Sequence, residues 1–194
     1  MHQTLVAGIR FTFFLLFLSS TGCATHHQVF LNPSLPFHNS NIGKDIPISL
    51  YVEDARSSNI IAKWKKGLRN FSISSQNDLK DIFLEKIQLG LKKLGFIPKI
   101  NRRNPSHSLK IDILDIRSKY SERVPQMDIR VKSKLRATCI NKDKKYSNTY
   151  SASKNRKGIT PATFPNENLL NANLSEILGQ LFTDQALLSC LTKS

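Results

Sequence analysis

The chain has 194 residues, 40% hydrophobic and 22% charged, with 29 Lys and Arg against 14 Asp and Glu. That apolar fraction is enough for a core, which excludes a wholly disordered chain, and the length fits one domain. Three cysteines are too few for a disulfide-built mini-protein, and with a single long apolar run, residues 11–18, the chain is not a polytopic membrane protein.

Residues 1–10 carry one positive charge, Arg10, before the run FTFFLLFL, and Ser19, Ser20, Thr21, Gly22 and Cys23 follow it. Eight apolar residues fall far short of the ~20 that span a bilayer as a helix. A charged start, a short apolar middle and small residues afterwards make a secretory signal over residues 1–22. The Gly22–Cys23 step resembles the lipobox of bacterial lipoproteins, with Ser20 standing where a leucine is usual. That resemblance implies a diacylglycerol on the Cys23 thiol, and Ala24 at the next position implies the outer membrane. Plain secretion and an uncleaved anchor are the alternatives. Each buried CH₂ contributes about 0.8 kcal/mol, so three acyl chains hold a domain at a membrane without a transmembrane segment. In the oxidising periplasm Cys139 and Cys190 are then either a disulfide or two buried thiols.

Residues 23–44, with Pro33, Pro36 and Gly43 among Asn, Ser and His, read as the lipidated cysteine and a flexible tether. His26, His27 and His38 fall in this stretch, which lacks carboxylates, and are expected to be solvated rather than metal ligands. Residues 45–194 then form a single domain. Ile46, Ile48, Leu50 and Val52 alternate with polar residues, giving a strand that Pro47 helps to start. Residues 59–64 and 71–73, separated by Lys65-Lys66-Gly67, suggest a small hairpin. Leu79, Ile82, Phe83, Ile87, Leu91 and Leu94 recur at helical spacing, with Ser75 or Asn77 as cap and Gly95 and Pro98 as stop signals.

A strand at residues 96–100 precedes the turn-rich Asn101-Arg102-Arg103-Asn104-Pro105. Leu109, Ile111 and Ile113 mark another strand. From Met127 to Cys139 every odd residue is apolar or small, while the even side carries Arg130, Lys132, Lys134 and Arg136. The turn Asn141-Lys142-Asp143-Lys144 returns the chain as an antiparallel partner over residues 146–153. After Pro165-Asn166, one helix carries Leu170, Leu174, Ile177, Leu178, Leu181 and Phe182, running on to Leu188 and Leu191, with Gly179 inside it. The order predicts an α+β two-layer sandwich, a mostly antiparallel sheet with two amphipathic helices packed on one face. Its other face is left to water or a partner.

Charge is uneven. Residues 99–157 hold 17 basic and 5 acidic side chains, whereas residues 158–194 hold 1 and 3. The row Arg130, Lys132, Lys134 and Arg136 is therefore the candidate partner-binding face, read against a solvated surface that aids solubility. For an exported domain the polyanions are anionic lipid or lipopolysaccharide, peptidoglycan and acidic envelope proteins; nucleic acid is not expected. No nucleotide loop, nucleophile elbow, zinc-protease or C-x-x-C motif occurs. His107 reads as a solvated loop residue. Glu53-Asp54 closes a strand with Arg56 as the structural partner, and Asp112 and Asp115 have opposite parity and should face apart. Neither an enzyme nor a cofactor is expected.

The ordered features resemble the YajG-family outer-membrane lipoproteins across roughly residues 29–192. The resemblance rests on Val52-Glu53-Asp54-Ala55-Arg56, on Asp78-Leu79 through Leu94-Gly95-Phe96, and on Leu109-Lys110-Ile111-Asp112-Ile113. Leu135-Arg136-Ala137 before Asn141 and Tyr146 adds to it, as do Asn171, Leu178, Leu181 and Asp184 of the terminal helix. It implies a lipid anchor and an α+β domain, and supplies no active-site residues. The expected function is a non-catalytic interaction or accessory module of the envelope. A carrier or sensor with an apolar pocket is the first alternative, and a hydrolase built around His107 the second.

Overall fold

The structure is a computed structural model that describes residues 24–100, 107–123, 126–159 and 167–192. The signal expected at residues 1–22, Cys23, the turn expected at residues 101–105 and the helix start expected at Pro165-Asn166 lie outside the described residues. Eight strands and three helices follow in chain order: β1 (Ala24–Val29), β2 (Pro47–Asp54), β3 (Ile60–Lys66), β4 (Arg69–Ser75), α1 (Leu79–Lys93), β5 (Ile97–Ile100), β6 (His107–Arg123), β7 (Gln126–Asn141), β8 (Lys144–Ile159), α2 (Glu167–Thr183) and α3 (Gln185–Thr192).

They make two sheets, ordered β5-β2-β6-β7-β8 and β1-β4-β3. The long ladders β6–β7 and β7–β8 are antiparallel, as the sequence predicts. The larger sheet is nonetheless mixed, because β2 runs parallel to both β5 and β6. β2 and β5 are joined by a helix-containing crossover, the kind of connection that parallel neighbours need. Helices and small sheet lie over one face of the large sheet, where Met127, Ile129, Val131, Leu135, Ala137 and Cys139 of β7 are buried. Trp64 of β3 stacks on Phe71 of β4 and on Tyr120 of β6, tying the small sheet to the far half of the long ladder.

Helix α1 starts where its cap allows. Asp78, rather than Ser75 or Asn77, accepts the Lys80 N–H at 2.8 Å. At its end the Gly95 N–H reaches the Lys92 carbonyl and the Phe96 N–H the Leu91 carbonyl, a Schellman arrangement made possible by Gly95 at φ 81°. One side of α1 touches α2 at Gly90, where an added Cβ would overlap the Phe182 ring. Alanine normally favours a helix over glycine by about 1 kcal/mol, but overpacking a filled core costs about 1–3 kcal/mol. Gly90→Ala should therefore destabilise the fold by about 1–2 kcal/mol in urea unfolding. Adding Phe182→Leu should recover part of that loss.

The expected tether is not one: residues 24–44 are part of the domain. β1 pairs in parallel with β4, and the stretch after it runs along α2. The backbone N–H groups of Phe30, Asn32 and Ser34 donate to the side chains of Glu167, Asn171 and Ser175, and Pro36 then packs against Gly179. The match is geometric, since two extended residues advance about 6.6 Å and four helical residues about 6 Å. Asn32 also accepts from Lys86 of α1, so the strap bridges two helices. Farther on, the N–H groups of Ser40, Gly43 and Asp45 donate to the carbonyls of Lys93, Leu94 and Gly95. These carbonyls have no partner within the helix, and the strap supplies one. Val29, Leu31 and Pro33 are buried while Phe30, Asn32 and Ser34 are exposed, a period-two signal hidden by prolines.

Two further corrections concern phase. A β-bulge between Ile113 and Asp115 inserts Leu114, so burial passes from Leu109, Ile111 and Ile113 to Ile116 and Ser118. Asp112 and Asp115 consequently share the outer face instead of pointing apart, opposite Arg136 and Lys134. The terminal helix is broken into α2 and α3 at Asp184, whose Oδ1 accepts the N–H groups of Ala186 and Leu187. The described residues thus hold three helices, because the expected terminal helix is two.

Candidate functional site

Among the described residues, no helix or second sheet covers the other face of the large sheet. On β7 the alternation holds: Arg130, Lys132, Lys134 and Arg136 are all exposed. Register sets their neighbours. Lys119 lies opposite Arg130, Arg117 opposite Lys132, Asp115 opposite Lys134 and Asp112 opposite Arg136. The β8 partners of these four β7 residues are Asn155, Ser153, Ser151 and Thr149, all uncharged.

This pattern divides the face. Toward β2 the charges cancel: Glu53 pairs with Lys110 at 2.7 Å, Lys110 with Asp112 at 3.0 Å, and Arg136 with Asp112 at 2.7 Å. Burial opposes ionisation of Asp112, yet hydrogen bonds from Arg136 and Lys110 outweigh it and hold the carboxyl below its usual range. The Lys110 ammonium is held above its usual range by hydrogen bonds to Glu53 and Asp112. Arg136 is thus neutralised by a carboxylate within the sheet. Toward the β6–β7 turn, Arg117, Lys119, Arg130 and Lys132 line a depression of about 270 Å³. Asp115 reaches Arg117 at 2.9 Å and Asn155 accepts from Arg130, while Lys119 and Lys132 face no carboxylate across the ladder. Four cations on adjacent strands repel one another, and an anion laid across them relieves that repulsion. Sequence reading missed Arg117 and Lys119. Their alternation was visible, but the bulge at Leu114 sets the face they occupy.

Residues 33–192 match the model of a family described as uncharacterized lipoprotein. The chain belongs to that family. The lipoprotein is similar to solved bacterial proteins at low identity. A protein from Xanthomonas campestris is 14% identical, with 88% of this chain and 96% of that one covered and a TM-score of 0.47. A minor lipoprotein from Acinetobacter baumannii is 10% identical over 74% and 90% of the two chains, at a TM-score of 0.42. A lipoprotein from Neisseria meningitidis is 12% identical over 70% and 97%, at 0.36. No curated protein matches the sequence. Among the described residues of the lipoprotein, no helix is long and apolar enough to cross a membrane.

The other sequence candidates have structural partners. Asp54 is held by Arg56 through two hydrogen bonds of 2.8 and 2.7 Å, and these overcome burial to keep its carboxyl below the usual range. His107 is not a loop residue. It opens β6, and its Nε2 donates to the Leu191 carbonyl at 2.8 Å. His26 lies on β1, with its two ring nitrogens hydrogen-bonded to Ser72 and Ser74, whereas His38 is exposed. Among the described residues no group of three His, Cys, Asp or Glu could hold a metal ion. Cys139 and Cys190 form a disulfide, Cα to Cα 6.4 Å. Hollows of about 500 and 640 Å³ flank the end of β2, both lined by charged groups that include Glu53 and Lys80. Such walls suit a polar occupant and not the apolar ligand of a carrier.

Proposed function

We propose that the lipoprotein is anchored by acyl chains on Cys23 at the outer membrane, with its domain in the periplasm. There it acts without catalysis, presenting the open basic sheet face to an anionic component of the envelope. The narrower kinship with YajG-family lipoproteins belongs to the same proposal. One observation carries the reading: Arg117, Lys119, Arg130 and Lys132 line one depression on the uncovered face, away from the carboxylates that neutralise Lys110 and Arg136. A solvated surface would need no such gathering of four cations at one depression, of which Arg117 alone is drawn to the neighbouring Asp115 across 2.9 Å. The anionic partner is a phospholipid or lipopolysaccharide headgroup, a peptidoglycan carboxylate or an acidic protein face.

The test is in-cell crosslinking from a photoreactive residue at position 132, followed by identification of the captured molecule. Reversing Arg117, Lys119 and Arg130 to Glu should lower the yield at least about tenfold, since close charge pairs across an interface are worth about 1.5 kcal/mol or more each. The yield from the parent should also fall with salt. Equal yields from parent and variant, both folded by circular dichroism, would reject the basic face as the binding surface.

A further inference from the structure

The register of the small sheet places residue 24 beside the β3–β4 turn. β1 and β4 run parallel, and Ala24, the first residue of β1, has Asn70 as its Cα partner. Arg69 opens β4, and Gly67 and Leu68 form the turn before it, with Gly67 at φ 58°. Cys23 is one peptide bond from Ala24, about 3.8 Å between Cα atoms. A free tether over residues 23–44 would let the domain stand off by about 25 Å in root-mean-square distance. With β1 already in the sheet at residue 24, that slack is gone.

The turn that meets this point has an unusual surface. Leu68 is 92% exposed, against 39–50% for the other exposed large hydrophobics. Lys65 and Arg69 on either side of it are exposed as well. A single exposed leucine means little by itself. An exposed leucine between cations, one strand away from an acylated residue, has the composition of an interfacial anchor: an apolar tip for the acyl boundary and positive charge for the headgroups.

We propose that the β3–β4 turn, through Leu68, Lys65 and Arg69, is a membrane-contact element resting on the anionic phospholipid surface that holds the Cys23 acyl chains. The inference rests on acylation of Cys23 and adds to it a fixed orientation. The small sheet faces the bilayer edge-on. The Lys142 turn, at the other end of the long ladder from Tyr120, points away from it.

The full chain, purified from the membrane fraction of its host, is reconstituted in vesicles of phosphatidylethanolamine and phosphatidylglycerol, carrying either Leu68→Cys or Lys142→Cys labelled with an environment-sensitive nitrobenzoxadiazole dye. The dye at position 68 should emit to the blue of the dye at position 142 and be quenched by spin-labelled lipid, while position 142 reads as water. In the Leu68→Cys chain, each of Lys65→Gln and Arg69→Gln should shift the label about fivefold toward water. Fatty-acid labelling is read on the same samples. Acylation together with a buried dye at position 68 supports the inference. Acylation with equal, aqueous emission at both positions overturns the membrane contact and leaves the anchor standing. Absence of acylation with aqueous emission overturns both.

Discussion

Asp184→Ala should lower the unfolding free energy by about 3–4 kcal/mol, measured by urea titration near neutral pH. The carboxylate sits between α2 and α3 and serves two elements at once. Its Oδ1 caps α3, and its Oδ2 accepts from Tyr150 at 2.6 Å, Tyr146 at 2.9 Å and Asn148 at 3.0 Å on β8. Loss of a cap costs about 1 kcal/mol, and hydrogen bonds to a charged group contribute about 1.5–3 kcal/mol, more so where the Tyr150 hydroxyl is left buried without an acceptor. Asp184→Asn keeps the shape but offers an amide where donors already point, and should lose most of the same energy. The variant also has a signature in pH. Burial opposes ionisation of Asp184, but hydrogen bonds from Tyr150, Asn148, the Leu187 N–H and Tyr146 outweigh it and bring its pKa from 3.8 to about 2. The hydroxyls of Tyr146 and Tyr150 are pushed up by burial and by the same carboxylate. A folded-state pKa below the unfolded value means that the stabilisation is complete above about pH 4 and lost as pH falls through about 2. The parent should lose on the order of 1–2 kcal/mol across that window, allowing for solvent screening of a partly exposed group. Asp184→Asn should show a flatter profile there. Parallel profiles for the two proteins would contradict this role.

Removing the disulfide is expected to be as costly. Cys139 and Cys190 are 51 residues apart, and closing a loop of that length stabilises a folded chain by about 4 kcal/mol in the chain-entropy account. The paired variant Cys139→Ala with Cys190→Ala should lose about 2–4 kcal/mol, and reduction of the parent by a thiol should match it. The effect should concentrate in α3. Its last carbonyls lack helical partners, and two of them are taken by other elements: Leu191 by His107, and Cys190 by the Asn141 amide. With the bridge gone, hydrogen exchange should quicken in Gln185–Thr192 before it does in α1. Unchanged exchange in α3 would show that its packed leucines, not the bridge, hold it to the sheet.

Much of this architecture was legible because it is periodic. The alternation from Met127 to Cys139 set the buried and open faces of β7, and the helical spacing from Leu79 to Leu94, closed by Gly95, set α1 almost to the residue. What failed were places where the period changes without a strong local signal. Leu114 is an ordinary strand residue, yet as a bulge it moves Asp115, Arg117 and Lys119 onto the open face. Asp184 fits the leucine pattern around it, and the helix breaks there because three β8 side chains and two backbone N–H groups converge on one carboxylate. The candidate site was half visible for the same reason: its β7 row could be counted, its β6 row could not.

The amino-acid sequence by itself determined the class of fold, the basic row on β7 and the strong stops around α1, all of which follow from side-chain type at neighbouring positions. Tertiary structure alone decided that residues 24–29 pair with β4 and the stretch after them lies along α2, that Arg136 is neutralised by Asp112 while Lys132 is not, and that Cys139 meets Cys190. These are partnerships between residues far apart in the chain. They depend on register, bulge and crossing of elements, and no local period carries that information.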